Sequence, residues 1–217
     1  MVYRQISEKS MTTIEKQFNL DHQSVFTRVL WLYGLYSLLN MTSYLIGYHL
    51  LPEGFMRGSP QSAIGEFVAS ATSFWPEFVL TLLFNLGLVV GMSIILNLNQ
   101  VKGFPTGYIL PITLGIISGL VSGTNSFAAS DMKQFNAWEG MALGLGIGGL
   151  EMLSYVLVIA ATAGFGIYQY QSWWTLKGEK FKNFRDIRLS RSEMICLALG
   201  IVLIIFSAYR ETVMAFQ

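Results

Sequence analysis

Five long apolar runs, uncharged except for one glutamate in the fourth, are the feature that most restricts what this chain can fold into. They occupy residues 29–51, 78–98, 107–124, 141–168 and 194–209. A helix needs about 20 apolar residues to cross roughly 30 Å of hydrocarbon, and the short last run gains reach from Arg191 and Arg210, whose stems extend toward the headgroups. With 53% hydrophobic and only 12% charged residues, the composition is that of an integral membrane protein.

We therefore predict an all-α, polytopic membrane helix bundle with five transmembrane helices, forming one domain over residues 1–217. Lysine and arginine favour the cytoplasmic side of a membrane. With the N-terminus in the cytoplasm and the C-terminus outside, eleven of these residues fall inside and three outside. This orientation makes residues 1–28 a cytoplasmic segment and 171–192 a basic cytoplasmic loop, in a multi-pass protein of the cell inner (plasma) membrane.

Glu151 is the only charged residue between Gly140 and Leu176. If the span opens at Met141, the helical rise places this carboxyl near mid-bilayer. A carboxyl there is tolerated when it is protonated, paired or turned into a protein interior, which makes Glu151 a functional-site candidate.

Three asparagines lie in or near the second span. Asn85 is deep in it, and its amide is a possible interhelical partner for the Glu151 carboxyl. Asn97 and Asn99 lie at its inner end, where we expect water to satisfy them.

The fourth run is too long for a plain crossing, because residues 141–168 would extend about 42 Å as a straight helix. It must tilt, bend or break, at Gly148–Gly149 or at the small residues within 163–166. A break beside Glu151 would free backbone groups for an ion or substrate site. In the alternative, Glu151 is protonated or hydrogen-bonded to Asn85 or to a Ser or Thr of a facing helix, and holds the bundle in register.

Glycines recur every four residues in three of the runs and predict close helix packing. Each series places a smooth strip on one helix face, so we expect tight contacts among the second, third and fourth spans, within one chain or between subunits. The strips are Gly87 and Gly91; Gly115, Gly119 and Gly123; and Gly140, Gly144 and Gly148.

Residues 177–191 combine basic side chains with large apolar ones three positions apart. The pattern fits either an interfacial helix attracted to anionic lipid or a positive-inside loop. The lipid-binding candidates are Lys177, Lys180, Lys182, Arg185, Arg188 and Arg191.

Two shorter helices are predicted outside the spans. Within residues 52–76, Ser59 and Pro60 suit the start of a short amphipathic helix, unless this segment is an ordinary loop packed on the bundle. Residues 11–18 predict a short cytoplasmic helix.

The order of motifs between residues 75 and 168 resembles the stage II sporulation protein M family. The matching features are Phe84-Asn85 with the glycines that follow, the segment 97–107, and Gly148 with Glu151 as part of a histidine-glycine-x-x-glutamate motif whose histidine is Ile147 here. The resemblance implies a non-enzymatic membrane subunit that scaffolds or recruits partners in a larger complex.

The sequence lacks the residue clusters of an enzyme or a metal site. Metal sites need grouped His, Cys, Asp or Glu, and His22 and His49 lie on opposite sides of the first span. Cys196 is alone inside the fifth span and is expected to be a small core residue. We expect no enzymatic activity, no cofactor or metal and no nucleic-acid partner; the expected partners are membrane lipids and other membrane proteins, in a hetero- or homo-oligomer.

Two functions therefore remain open. The first is the scaffolding subunit, and the alternative is a transporter or channel component in which Glu151 is an intramembrane proton or cation site. Water access to Glu151 with a helix bend at Gly148–Gly149 would favour transport, whereas a sealed carboxyl would favour the scaffold.

Overall fold

The five apolar runs form long helices in the computed structural model, which describes residues 24–126, 137–174 and 177–216. The helices are α1 (Val25–Leu50), the short α2 (Pro60–Ala69), α3 (Phe74–Asn97), α4 (Ile109–Gly123), α5 (Ala137–Thr162) and α6 (Arg191–Ala215). All but α2 belong to segments long and apolar enough to cross a bilayer, so the prediction of a mostly helical protein with five such helices is confirmed. For residues 137, 140 and 143–147 the backbone alone is described, and the helix predicted over residues 11–18 lies outside the described residues.

Serine residues begin three of these helices by accepting hydrogen bonds from first-turn N–H groups, as N-cap side chains do. The Ser24 hydroxyl accepts from the Thr27 N–H at 3.2 Å in α1, and Ser190 forms a capping box at the start of α6. Ser59 caps α2, with Pro60 in its first turn. Residues 52–76 therefore contain the predicted short helix.

Helix α5 lies at the centre of the bundle, with α1, α4 and α6 packed on it. Its second half is buried on every side, which is the position of a helix that is apolar all round; the buried residues include Val156, Val158, Ile159, Ala160 and Ala161. The outer helices keep large apolar side chains exposed, as a surface facing lipid requires, since lipid tails are as apolar as leucine.

A small four-stranded sheet closes one end of the bundle, which we call the sheet end. The strands β1 (Asn99–Val101), β2 (Phe104–Pro105), β3 (Tyr168–Tyr170) and β4 (Glu179–Lys180) lie in the order β2-β1-β3-β4. Strand β1 turns back into β2 through Lys102 and Gly103, both at positive φ, and pairs in parallel with β3. The sheet was not predicted, because strands of two or three residues are too short for alternation to be read. The opposite end carries α2 and is called the loop end.

Helix α5 does not break beside Glu151. It is continuous through Gly148–Gly149 and ends at Thr162, where a 3₁₀ turn (Ala163–Phe165) and the bend at Gly166 lead into β3. The helix of the fourth run therefore ends before the run does. It ends at the small residues 163–166, the second of the two positions where a bend or break was expected.

Candidate functional site

Glu151 lies on α5 and is half-buried as a residue. Its Oε1 accepts a hydrogen bond of 2.5 Å from the hydroxyl of Tyr155, one turn further along the helix. The spacing of four residues places both side chains on one face, and the length falls in the range of charge-assisted O–H···O bonds. Tyr155 is itself buried, so the hydroxyl is a fixed donor rather than a solvated one.

The structure brings Asn85 beside Glu151, as the sequence predicted. Asn85 is only 8% exposed, and its Nδ2 has no hydrogen-bond partner among the described residues. It lies in a π-helical segment of α3, Phe84–Gly91. Such wide turns are frequent at functional sites, and this one could not be foreseen because it has no sequence pattern of its own.

Glu211 of α6 is a second carboxyl near Glu151, and Glu77 of α3 lies near Glu211. Glu77, in the first turn of α3, is buried, and Glu211, near the end of α6, is exposed. Both lie within electrostatic range of one another, and Glu211 also of Glu151. Glu77 and Glu211 were not predicted as site residues because they lie just outside the second and fifth apolar runs, where charged residues are ordinary.

A small recess reaches Glu151 from the surface. It is lined by Glu151, Ser207, Arg210, Glu211 and Met214, and it has room for about one water molecule. The Ser207 hydroxyl is buried, and among the described residues it has no hydrogen-bond partner. The recess therefore combines carboxylate oxygens with an uncommitted hydroxyl.

Glu77 and Glu211 are each close to the loop-end terminus of their helix. Glu211 lies within electrostatic range of Glu151, although Glu151 is well inside α5. The mid-bilayer depth of Glu151 stays a prediction.

A second buried polar group lies at the sheet end, where α5 ends. Asn97 is fully buried, and its Nδ2 donates to the Ile159 carbonyl at 2.9 Å and to the Thr162 hydroxyl at 2.7 Å. Gln100 donates to the Ala163 carbonyl at 3.3 Å. The last carbonyls of a helix need partners, and lipid offers none. The expectation that water satisfies Asn97 was therefore wrong: it caps α5.

A buried ion pair adjoins this cap. The guanidinium of Arg28, 4% exposed, donates to Glu193 Oε1 and to the Ala160 carbonyl, each at 2.7 Å. It thus joins the starts of α1 and α6 to the end of α5. The sequence places Arg28 in the cytoplasmic segment, and no pattern in it predicts the pairing with Glu193, which also caps α6.

The glycine strip of α4 faces α1 rather than α3 or α5. An added Cβ would come within 3.0 Å of the Tyr36 carbonyl oxygen at Gly115, and at Gly119 and Gly123 it would overlap the carbonyl oxygens of Asn40 and Tyr44. Helix α1 offers a complementary small-residue face, since Gly47 lies against Gly123 and Asn40 donates to Ser118 at 2.8 Å.

The other strips show no such approach. A Cβ at Gly87 or Gly148 would meet nothing within 4 Å, and at Gly91 its nearest neighbour would be the Leu86 carbonyl oxygen at 3.6 Å. The surroundings of Gly140 and Gly144 lie outside the described residues. The expected contacts of α3 through glycine are therefore absent, because its glycines fall in the π-helical segment and point away from neighbouring backbones.

The basic segment is extended and turned rather than helical. It holds β4 and a 3₁₀ turn (Phe184–Asp186), so the interfacial-helix alternative was wrong. Gly178 and Asn183 oppose a helix here. Lys182 is half-buried and donates to the Gly164 carbonyl at 3.3 Å, whereas the remaining candidates are exposed: Lys177, Lys180, Arg185, Arg188 and Arg191.

Within the described residues, no three His, Cys, Asp or Glu side chains are arranged to hold a metal ion. Cys196 is buried and free. In comparisons with protein-family models, with curated proteins and with solved structures, no match to this chain was found.

Proposed function

We propose that this protein is a component of a membrane transport system in which the Glu151 carboxyl takes up and releases a proton or a small cation. The observation that carries the proposal is the pair of carboxyls, Glu151 and Glu211, which α5 and α6 bring to one recess, with Glu77 of α3 within electrostatic range of Glu211. Carboxyls inside membrane spans are costly, and they commonly mark proton relays and ion pathways.

The surroundings of Glu151 suit reversible binding. The Tyr155 hydroxyl steadies one carboxylate oxygen, while Asn85 and Ser207 are polar side chains with atoms not committed to other bonds among the described residues. Arg210, at the recess, supplies a positive charge. Such a site offers oxygen ligands and charge compensation without sealing the carboxyl from the surface.

The proposed orientation places the loop end outside the cell, in the plasma membrane. Lysine and arginine support it, because the exposed basic side chains of residues 177–191 gather at the sheet end, which would be cytoplasmic. Exposed tryptophans occur at both ends, Trp31, Trp173 and Trp174 at the sheet end and Trp75 and Trp138 at the loop end, as interfacial aromatic belts require. The recess at Glu151 would then face the outside.

The test is proton and cation flux through the purified protein in liposomes. A pH-sensitive dye inside the vesicles reports proton movement when a pH gradient is imposed, with and without a Na⁺ or K⁺ gradient. Glu151→Gln keeps the shape and removes the titratable proton, so we expect it to abolish the dye response. Glu66→Gln, an exposed position on α2, is the matched control and should retain it. Equal flux in the two variants would rule out the proposal.

Proton binding is measured separately by infrared difference spectroscopy between two pH values. A carboxylic acid has a C=O stretching band that the carboxylate lacks, and Glu151→Gln should remove one such band. This readout does not depend on the identity of a transported substrate or on a partner protein. A spectrum unchanged by the substitution would show that Glu151 exchanges no proton over the pH range examined.

A scaffolding subunit is the second candidate, and the continuity of α5 through Gly148–Gly149 favours it. The resemblance to the stage II sporulation protein M family supports the same function, with membrane lipids and other membrane proteins as partners. Purification in a mild detergent, followed by identification of stoichiometric companions, tests this candidate. If Glu151→Gln retains the same companions and an unaltered dye response, the carboxyl is structural and the scaffold stands.

A further inference from the structure

The three carboxyls differ in their exposure. Glu211 is exposed, Glu151 is half-buried and Glu77 is only 7% exposed. Glu211 and Glu151 line one recess, which has room for about one water molecule. A single water between two carboxyls is the minimum bridge for proton transfer.

The recess is also polar where it is buried. Ser207 is 6% exposed and lines the recess, and within the described part of the chain its hydroxyl oxygen has no hydrogen-bond partner. A buried hydroxyl is normally paired with protein or water. Its position between helices and next to both carboxyls identifies the recess as a place where a water molecule has three polar neighbours, enough to hold it.

We propose that Glu211 is the outer carboxyl of a two-step proton relay, and that protons reach Glu151 through Glu211 and the recess beside Ser207. This inference rests on the proposed function and assigns its ligand as a proton rather than a metal cation. Among the described residues no three acidic side chains are placed as metal ligands, and a space for one water does not admit a hydrated cation.

The transfer is balanced without any co-reactant. The protonated Glu211 carboxyl donates its proton to the bridging water, which passes one of its own protons to the Glu151 carboxylate. Glu211 is left as a carboxylate and regains a proton from the outer solution. No bond other than the O–H bonds forms or breaks, and the reverse sequence releases the proton.

Groups on four helices surround these two carboxyls. Glu77 on α3 adds a negative charge near Glu211, and Arg210 on α6 adds a positive charge at the recess. Tyr36 on α1 lies within electrostatic range of Glu151, and Tyr33 within range of Tyr36. Tyr155 on α5 is bonded directly to Glu151. The pH dependence of either carboxyl therefore reflects all of these groups. For this reason the test measures the rate of proton transfer rather than the midpoint of a titration.

The experiment is a pH jump on the protein in liposomes, with the infrared C=O band of Glu151 followed in time. The band is identified by its loss in Glu151→Gln. Removing a positioned proton donor costs roughly 100-fold in rate or more, so we expect Glu211→Gln to slow the band by about that factor while its final amplitude is kept. Glu211→Asp should restore most of the rate, and Glu66→Gln should match the unaltered protein.

A second variant blocks the recess without touching a carboxyl. Met214 lines the recess and is exposed, so Met214→Trp should slow the same band, with Met194→Trp, at an exposed site near the sheet end of α6, as the control. An unchanged rate in both Glu211→Gln and Met214→Trp would overturn the relay while leaving Glu151 as a proton site. The absence of any Glu151 band in the unaltered protein would instead overturn the proposed function itself.

Discussion

The close contact between α1 and α4 depends on glycine, and alanine substitutions test it directly. In Gly119→Ala the new Cβ would overlap the Asn40 carbonyl oxygen and stand 2.8 Å from the Ser43 Cβ. These neighbours are backbone or lie next to it, so they cannot rotate away and the helices must separate. Separation would also stretch the bond from Asn40 to Ser118, now 2.8 Å.

The magnitude follows from two opposing terms. Overpacking of this kind costs about 1–3 kcal/mol, while alanine is favoured over glycine within a helix by about 1 kcal/mol. Gly148→Ala gains the same propensity but meets nothing within 4 Å. The difference between the two variants therefore isolates the overpacking term, so Gly119→Ala should be the less stable by about 1–3 kcal/mol.

Thermal unfolding of both variants in one detergent measures this difference. For a chain of this size 1 kcal/mol corresponds to roughly 2–4 °C in Tm. Gly123→Ala should behave like Gly119→Ala, and Gly87→Ala, with open space at its Cβ, should behave like Gly148→Ala. Equal Tm values for Gly119→Ala and Gly148→Ala would refute the close approach of α1 and α4.

Three further predictions concern the sheet end. Asn97→Leu leaves the Ile159 carbonyl without its donor and should lower stability by about 1 kcal/mol, seen as a lower Tm than that of Asn99→Leu, a position near the end of α3. Arg28→Met leaves the Glu193 carboxylate without its cationic partner and should lower the free energy of unfolding by about 3–5 kcal/mol. A double-mutant cycle with Glu193→Gln measures the coupling between the two side chains. Additive losses of stability would contradict the ion pair. Charge reversal at the exposed Arg185 and Arg188 should lower the amount of anionic lipid that co-purifies with the protein. Charge reversal at Arg57, at the loop end, is the control and should not lower it. Equal amounts of anionic lipid in both variants would argue against lipid binding by the basic segment.

The helices could be predicted from the sequence because hydrocarbon imposes one dominant requirement on a spanning segment. The uncharged, apolar residues 78–97 lie within α3, and 194–209 lie within α6. The same criterion hid part of the site. Glu77 and Glu211 lie just beyond the ends of their apolar runs and so read as flanking residues, although Glu211 lines the recess with Glu151 and Glu77 lies within electrostatic range of Glu211.

The partners of the buried polar groups required the tertiary structure. Asn85 was paired with Glu151 from its depth alone, but Asn97 could not be recognised as the cap of α5 because the residues it bonds lie more than sixty positions later in the chain. The glycines of α4 predicted that another helix packs closely against it, but they did not indicate which helix. That choice depended on the small-residue face of α1, which includes Ser43 and Gly47.

Composition and the spacing of apolar runs determined by themselves that this chain forms a bundle of five long apolar helices, with one costly carboxyl at Glu151. The free energy of placing an apolar helix in a bilayer depends little on which helices are its neighbours, so a spanning helix can be recognised from the sequence. The grouping of Glu77, Glu151 and Glu211, the recess beside Ser207 and the cap on α5 were decided only by tertiary structure. Hydrogen bonds and charge interactions act over a few ångströms between particular atoms, and those atoms come together only when the helices have packed against one another.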